Sequence, residues 1–125
     1  LTTVLLGGHE VPADAPLASW LGPASWPTLP GYSCYLARDA ATGAALGAGL
    51  LLVEDGVGYL ANASTLPAAR GRGVQTALIA ARMARAVAQG SDVLAVLSLP
   101  WTSSNRNLKR AGFVPAYTKA VWQQA

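Results

Sequence analysis

Arg70-Gly71-Arg72-Gly73-Val74-Gln75 stands between an apolar, strand-like run, Val57 to Leu66, and an alanine-rich helical run, Val74 to Gln89. A turn with two glycines lets backbone N–H groups converge on one point. The helix that follows leaves its first amides unpaired there and adds the positive end of its dipole. Two arginines share the turn. Strand, Gly/Arg turn and helix start together form a cradle for a phosphate or pyrophosphate. The hexapeptide alone also fits an ordinary βα turn, in which the glycines relieve backbone strain and the arginines are solvated. The surrounding chain separates the two readings.

Upstream, Tyr32 to Arg38, Ala44 to Val53 and Val57 to Leu66 read as three strands of a meander. Asp39 to Gly43 and Glu54-Asp55-Gly56 supply the turn chemistry between them. The second strand is apolar throughout and expected to be buried on both faces, with Gly47 and Gly49 marking a bulge or a close approach. Thr2 to Leu6 predicts a short strand closed by Gly7-Gly8, Glu10 to Pro16 a turn, and Leu17 to Leu21 a short helix. Pro23, Pro27 and Pro30 then forbid regular structure up to Gly31. Downstream, Ala77, Ala80, Ala81, Ala84 and Ala88 share one side of the Val74–Gln89 helix and predict a face that sits close to a sheet. Gln75, Arg82, Arg85 and Gln89 fall on another side. Gly90 stops that helix. Val93 to Leu99 is an apolar strand, parallel to the one before the helix through a right-handed crossover. Thr102 or Ser103 caps a short helix that runs through Ala111 to Gly112, and Phe113 to Trp122 predicts one or two last strands around Pro115. The fold class is therefore mixed α/β: an antiparallel meander followed by a βαβ unit, a sheet flanked by helices.

Composition excludes several classes. The chain of 125 residues is one domain, 52% hydrophobic, with no uninterrupted apolar run of spanning length. Cys34 is the only cysteine and His9 the only histidine, which removes internal disulfides and Cys- or His-cluster metal sites and suits a reducing, cytoplasmic setting. The first residues lack a basic n-region, so no secretory signal is visible. The net charge of +3 is spread out, with no basic block interleaved with aromatics. Neither nucleic acid nor a membrane is therefore an expected partner.

Other candidate residues have plain explanations. Glu54 and Asp55 fit solvated turn residues better than an acid/base pair. His9 reads as a surface residue rather than a catalyst. Trp20, Trp26, Trp101 and Trp122 read as core or groove walls, and Cys34 as a small buried hydrophobe. Ser103, Ser104, Asn105 and Asn107 begin a helix, where capping is the default and a ligand contact the sharper alternative. A Rossmann fingerprint is disfavoured: Gly71-x-Gly73-x-x-Thr76 lacks the third glycine, and Asp92 precedes the next strand instead of ending it. No Gly-Lys-Ser/Thr follows for a Walker loop.

Leu66-Pro67-Ala68-Ala69-Arg70-Gly71-Arg72-Gly73-Val74-Gln75 resembles the pyrophosphate loop of the GNAT superfamily of acyl-CoA-dependent N-acetyltransferases, written Q/R-x-x-G-x-G/A. Arg70, Gly71 and Gly73 fit in place, while Gln75 stands where the family prefers glycine or alanine. Asn107-Leu108-Lys109-Arg110-Ala111-Gly112-Phe113 is similar to the family's helix-then-Gly-Phe segment along coenzyme A, in the expected order and at about the expected spacing. The resemblance covers about Tyr32 to Trp122. It implies acetyl-CoA as cofactor, with backbone near Thr65 and Leu66 pairing with the pantetheine arm. The amides of Gly71, Arg72, Gly73, Val74 and Gln75 would hold the pyrophosphate, with Arg70 beside them and Ser104 and Asn107 alongside. It also implies that Val57–Leu66 and Val93–Leu99 splay apart around the thioester, where a neutral amine attacks directly.

Two departures shape the expectation. Residues 1–31 look too short and too proline-broken for the family's usual acceptor wall. They are expected to be a remnant or linker from an N-terminal half, with residues 32–125 as the acetyl-CoA-binding domain. Self-association or a separate N-terminal domain would then cover the sheet. Leu108 also stands where many members carry a tyrosine that protonates the leaving thiolate; Tyr117 is the nearest downstream replacement and Ser104 a weaker one. The expected activity is acetyl transfer to a small-molecule or peptide amine. The alternative is a non-catalytic acyl-CoA-binding or regulatory module, with a nucleotide-binding fragment as a third reading.

Overall fold

The computed structural model describes residues 1–15, 18, 26–122 and 124. The helix expected at Leu17–Leu21, and Trp20 within it, lie outside the described residues apart from Ala18. The elements are α1 (Thr2–Gly8), β1 (Tyr32–Arg38), β2 (Ala45–Glu54), β3 (Val57–Thr65), α2 (Val74–Ala88), β4 (Val93–Ala95) and α3 (Ser103–Arg110), with 3-10 turns at Trp26–Thr28 and Pro67–Ala69. The four strands form one sheet in the order β1-β2-β3-β4. The first two pairings are antiparallel, and β4 joins β3 in parallel through α2, which is the expected meander and βαβ unit.

Local chemistry fixes the turns. Asp39 Oδ1 accepts from the amides of Ala41 and Thr42, both at 3.0 Å, and closes the β1–β2 connection. Between β2 and β3 the two turn residues, Asp55 and Gly56, have φ of 48° and 77°. Both positive values match the two-residue turn whose twist suits a hairpin.

Strand β2 is the covered centre, with Gly47 to Leu51 buried. Its Ala48 packs with Val4 and Leu5 of α1, and Leu51 with Ile79 and Ala86 of α2, so helices cover both faces. Leu5, Leu50, Leu51 and Ile79 are the largest fully buried side chains, each contributing about 1.5–3 kcal/mol by leaving water.

The close approach of helix and sheet comes from the strand, not from the alanine face. Val74, Leu78, Ile79, Arg82 and Ala86 of α2 are buried, whereas Ala77, Ala80, Ala81, Ala84 and Ala88 are exposed. The larger side chains remove more apolar area from water, and alanine on the outer face serves helix propensity. At Gly47 a Cβ would come within 2.7 Å of Val74 Cγ1, and at Gly49 within 3.1 Å of Arg82 Cζ. Glycine in β2 thus makes the room that alanine in α2 was expected to make.

Further expectations are corrected. Thr2 to Leu6 is helical, because packing of Leu5 and Val4 on the sheet overrides the β-branched run. Gly7-Gly8 does not close a strand. It seats the end of α1 on β3, where a Cβ on Gly8 would collide with the Ser64 side chain. The Ser64 hydroxyl donates to the Val4 carbonyl at 3.0 Å and ties the two elements together. Strand β4 is only Val93–Ala95. Residues 113–122 form no strand: Pro115 lacks an N–H and holds Val114 out of regular pairing. Val114, Tyr117, Val121 and Trp122 are accordingly exposed, and Trp101 is too, so neither of these tryptophans is a core wall. Trp26 does pack, its ring 4.9 Å from that of Tyr32. Among the described residues no helix is long and apolar enough to cross a membrane.

Candidate functional site

The chain leaves β3, makes the Pro67–Ala69 turn and extends at Arg70 (φ −64°, ψ 150°). Gly71 and Gly73 then both take left-handed backbone, φ 74° and 76°, a region that costs other residues about 1–2 kcal/mol. Gly73 is the N-cap of α2 and offers no side-chain cap. The first helical N–H bond runs from Ala77 to the Gly73 carbonyl, 3.0 Å. The amides of Val74, Gln75 and Thr76 therefore precede the ladder and remain available at the positive end of the helix.

These groups open on a cleft of about 640 Å³, bounded by Ser64 and Thr65 of β3, the Arg70–Gly73 turn, Gln75, and Ser104 and Asn107 of α3. Gln75 closes one wall: its side-chain nitrogen donates to the Ser104 hydroxyl at 2.8 Å, and its oxygen accepts from Asn107 at 2.7 Å. The residue that departs from the glycine-rich pattern thus ties the start of α2 to α3. Thr102 caps α3 by accepting from the Asn105 amide, 3.1 Å. A second cavity of about 410 Å³ lies between α2 and α3, lined by Ile79, Ala80, Met83 and Arg110 among others. It does not reach the glycine turn.

The arginines of the turn are engaged elsewhere. Arg70 donates to the Gly8 carbonyl at 3.0 Å and pairs with Glu10 at 3.2 Å, both side chains more than half exposed. Arg72 pairs with Asp39 at 2.7 Å. That bond, with the amides of Thr42 and Ala41, holds the Asp39 carboxyl down at about 2. The arginines thereby pin the turn to α1 and to the β1–β2 connection, and the cradle itself is backbone.

Along the cleft floor, β3 pairs with β4 only from Val57↔Val93 to Tyr59↔Ala95, while β3 runs on to Thr65. Beyond Tyr59 the two strands part. The β2–β3 register passes from Gly49↔Ala63 to Leu50↔Ala61, so Asn62 is the extra residue of a bulge shortly beyond the last β4 pairing. Arg82 of α2, 2% exposed, lies beneath it. Its guanidinium donates to the carbonyls of Leu50 and Ala61, both 3.2 Å, and of Leu78, 2.9 Å. Burial lowers its pKa to about 10. Sequence pattern placed Arg82 on the polar side of the helix; only the bulge shows why an arginine is buried there.

Tyr117 is 76% exposed in the irregular segment after α3 and does not line the cleft. Leu108 is 5% exposed and packs with Leu51, Leu60 and Ile79, so its position in this chain serves the core. His9, expected as a surface residue, is indeed exposed, yet it lines the cleft together with Gly8. The signal was the lone histidine, but its placement depends on α1, which the β-branched run disguised.

This mixed α/β fold, a four-stranded sheet flanked by helices, is that of the GNAT acetyltransferases among solved structures. Solved structures carry the comparison. The chain superposes with a TM-score of 0.75 on a putative acetyltransferase from Agrobacterium tumefaciens, at 19% identity, covering 98% of this chain and 92% of that one. Aminoglycoside N-acetyltransferase AAC(6')-Iy in complex with a bisubstrate analogue, CoA-S-monomethyl-acetylneamine, gives 0.69 at 24% identity, covering 100% and 87%. Glucosamine-6-phosphate N-acetyltransferase from Arabidopsis thaliana gives 0.74 at 8% identity, covering 98% and 88%. No protein-family model matches the chain, and no curated protein matches it significantly.

Proposed function

We propose that the chain is an N-acetyltransferase domain that moves an acetyl group from acetyl-CoA to an amine. The observation that carries this reading is the left-handed Gly71/Gly73 turn opening unpaired helix amides onto a cleft beside the fork between β3 and β4. The residues present suit an anionic pyrophosphate: the first turn of α2 carries no acidic residue, and among the described residues no carboxylate lines the cleft. In this reading the amides from Gly71 to Gln75 hold the diphosphate, while Arg70 and Arg72 keep the turn rigid through Glu10 and Asp39. The backbone of Thr65 and Leu66, past the end of the β4 pairing, accepts an extended amide-bearing arm as an added strand would. Ser104 and Asn107, fixed by Gln75, line the opposite side. Bound acetyl-CoA supplies an activated acyl carbon and a thiolate that leaves readily. The protein's part is to orient the reactants and to polarise the carbonyl with a backbone N–H at the bulge. The neighbours whose names specify aminoglycoside and sugar-amine acceptors support a small-molecule amine.

The test is calorimetry with coenzyme A on the wild type and on Gly73→Asp. Nothing lies within 4 Å of a Cβ at Gly73, so the substitution crowds no neighbour and acts through its charge and backbone strain. Binding is expected to fall at least about 100-fold, because a carboxylate then faces the anion site. Unchanged affinity in a folded variant rejects the cofactor assignment. Tight binding with no thiol release across a panel of amines would instead favour the non-catalytic module.

A further inference from the structure

The reaction proposed above needs a proton acceptor. When an amine nitrogen bonds to the acyl carbon it becomes strongly acidic, and its proton must go to a base within reach. The side chains lining the cleft are nearly all unable to serve: they are aliphatic, hydroxyl or amide groups, and the Arg70 guanidinium has donors only. Among the described lining residues, only His9 can take a proton near neutral pH.

Three features place it for this. His9 is the C-cap of α1, and α1 is fixed on the sheet by the buried Leu5 and the Ser64–Val4 hydrogen bond. Gly8, with no Cβ, brings that helix end against β3 at Ser64, one residue from Ala63. The imidazole hydrogen-bonds to the Ala63 backbone, which favours a ring N–H on that side, so that in the neutral ring the other nitrogen carries the lone pair. Ala63 adjoins Asn62, the bulged residue at the fork. The histidine thus lines the cleft beside the stretch of β3 that adjoins the bulge.

The groups around it keep it neutral. Partial burial lowers its pKa below the ordinary 6.5, the Ala63 carbonyl opposes this, and the nearby Arg70 cation lowers it further. Glu10, the next residue, is paired with Arg70. Ser64, on the facing strand, carries no charge.

We propose that His9 is the catalytic base of this cleft, a role that rests on the acetyl-transfer reading. The amine lone pair attacks the thioester carbonyl carbon and forms the N–C bond. His9 takes the proton from that nitrogen, the C–S bond breaks, and the thiolate leaves. The imidazolium then returns its proton to the thiolate or to water, so His9 ends each turnover neutral.

As the only histidine in the chain, His9 gives a single imidazole resonance, which makes the test direct. Coenzyme A is titrated into labelled protein while the amides of Gly71 to Gln75 and the His9 ring are followed. Failure to shift the amides rejects the cofactor reading, and the proposal with it. Shifted amides with an unmoved His9 ring reject the proposal alone. Turnover of acetyl-CoA is then measured with neamine and glucosamine 6-phosphate for wild type, His9→Gln and His9→Ala. The expected result is a kcat loss of about 100-fold or more with coenzyme A affinity retained. The acid limb of kcat/KM set by His9, lying below pH 6.5, should vanish in His9→Gln, and added imidazole should restore part of the His9→Ala rate. A His9→Gln enzyme within threefold of wild type overturns the assignment. If neither amine reacts, a His9 pKa above 6.5 in the coenzyme A complex also overturns it, and one that stays below supports it.

Discussion

Replacing Arg82 by methionine tests whether the bulge at the fork is held from beneath. Methionine keeps most of the stem volume under Gly49 but cannot donate. Burial lowers the arginine pKa to about 10, so the fold opposes the charge by about 3 kcal/mol. Losing the charge removes that penalty. Against it stand three hydrogen bonds from a cation to backbone carbonyls, each worth about 1.5–3 kcal/mol. The Leu50 and Ala61 carbonyls would be left at the bulge without this donor. The net expectation is a loss of about 1.5–6 kcal/mol. For a chain of this length that lowers Tm by roughly 6–24 °C. Below pH 10 the guanidinium is charged in both folded and unfolded chains, so the loss should be the same across neutral pH. Urea unfolding at pH 7 measures it, with Arg82→Lys expected to fall between wild type and Arg82→Met, since one ammonium cannot span the three carbonyls. An Arg82→Met protein within about 0.5 kcal/mol of wild type would refute the reasoning, because the carbonyl bonds would then be doing no more than offsetting desolvation.

Gln75→Ala removes both links between α2 and α3 and is expected to cost about 1–2 kcal/mol in urea unfolding; no change would show that the wall is held by packing alone. Asp39 has a folded pKa depressed from 3.8 to about 2. Its contribution is therefore full above pH 3.8 and fades as the pH falls toward 2, and Asp39→Asn should abolish that segment of the stability–pH curve. Arg72→Ala should return the Asp39 titration, read by NMR, toward 3.8. Tyr117→Phe is expected to keep turnover within about threefold, since the exposed phenol has no place in the cleft; a hundredfold fall in kcat with unchanged coenzyme A affinity would make Tyr117 the acid.

The sequence alone determined the elements whose signals are local. Two-residue turn chemistry, a continuous apolar run and glycines with no substitute at positive φ identified the meander, the Gly71–Gly73 turn and the helix after it. These features depend on neighbours within a few residues, so reading along the chain suffices. Tertiary structure decided what depends on distant partners. Residues 2–8 are a helix because Leu5 finds a pocket on the sheet, and that helix carries His9 to a strand some fifty residues away. The buried face of α2 follows larger side chains rather than the alanine pattern, because Gly47 and Gly49 of another element make the room. Arg82 is buried because a bulge in β3 offers carbonyls that no periodicity announces. The last apolar stretch makes no strand, since a strand needs a partner edge and Pro115 denies the pairing its donor. Local conformational preference is written in neighbouring residues, whereas burial and hydrogen-bond satisfaction are properties of surfaces that exist only once the chain has closed on itself.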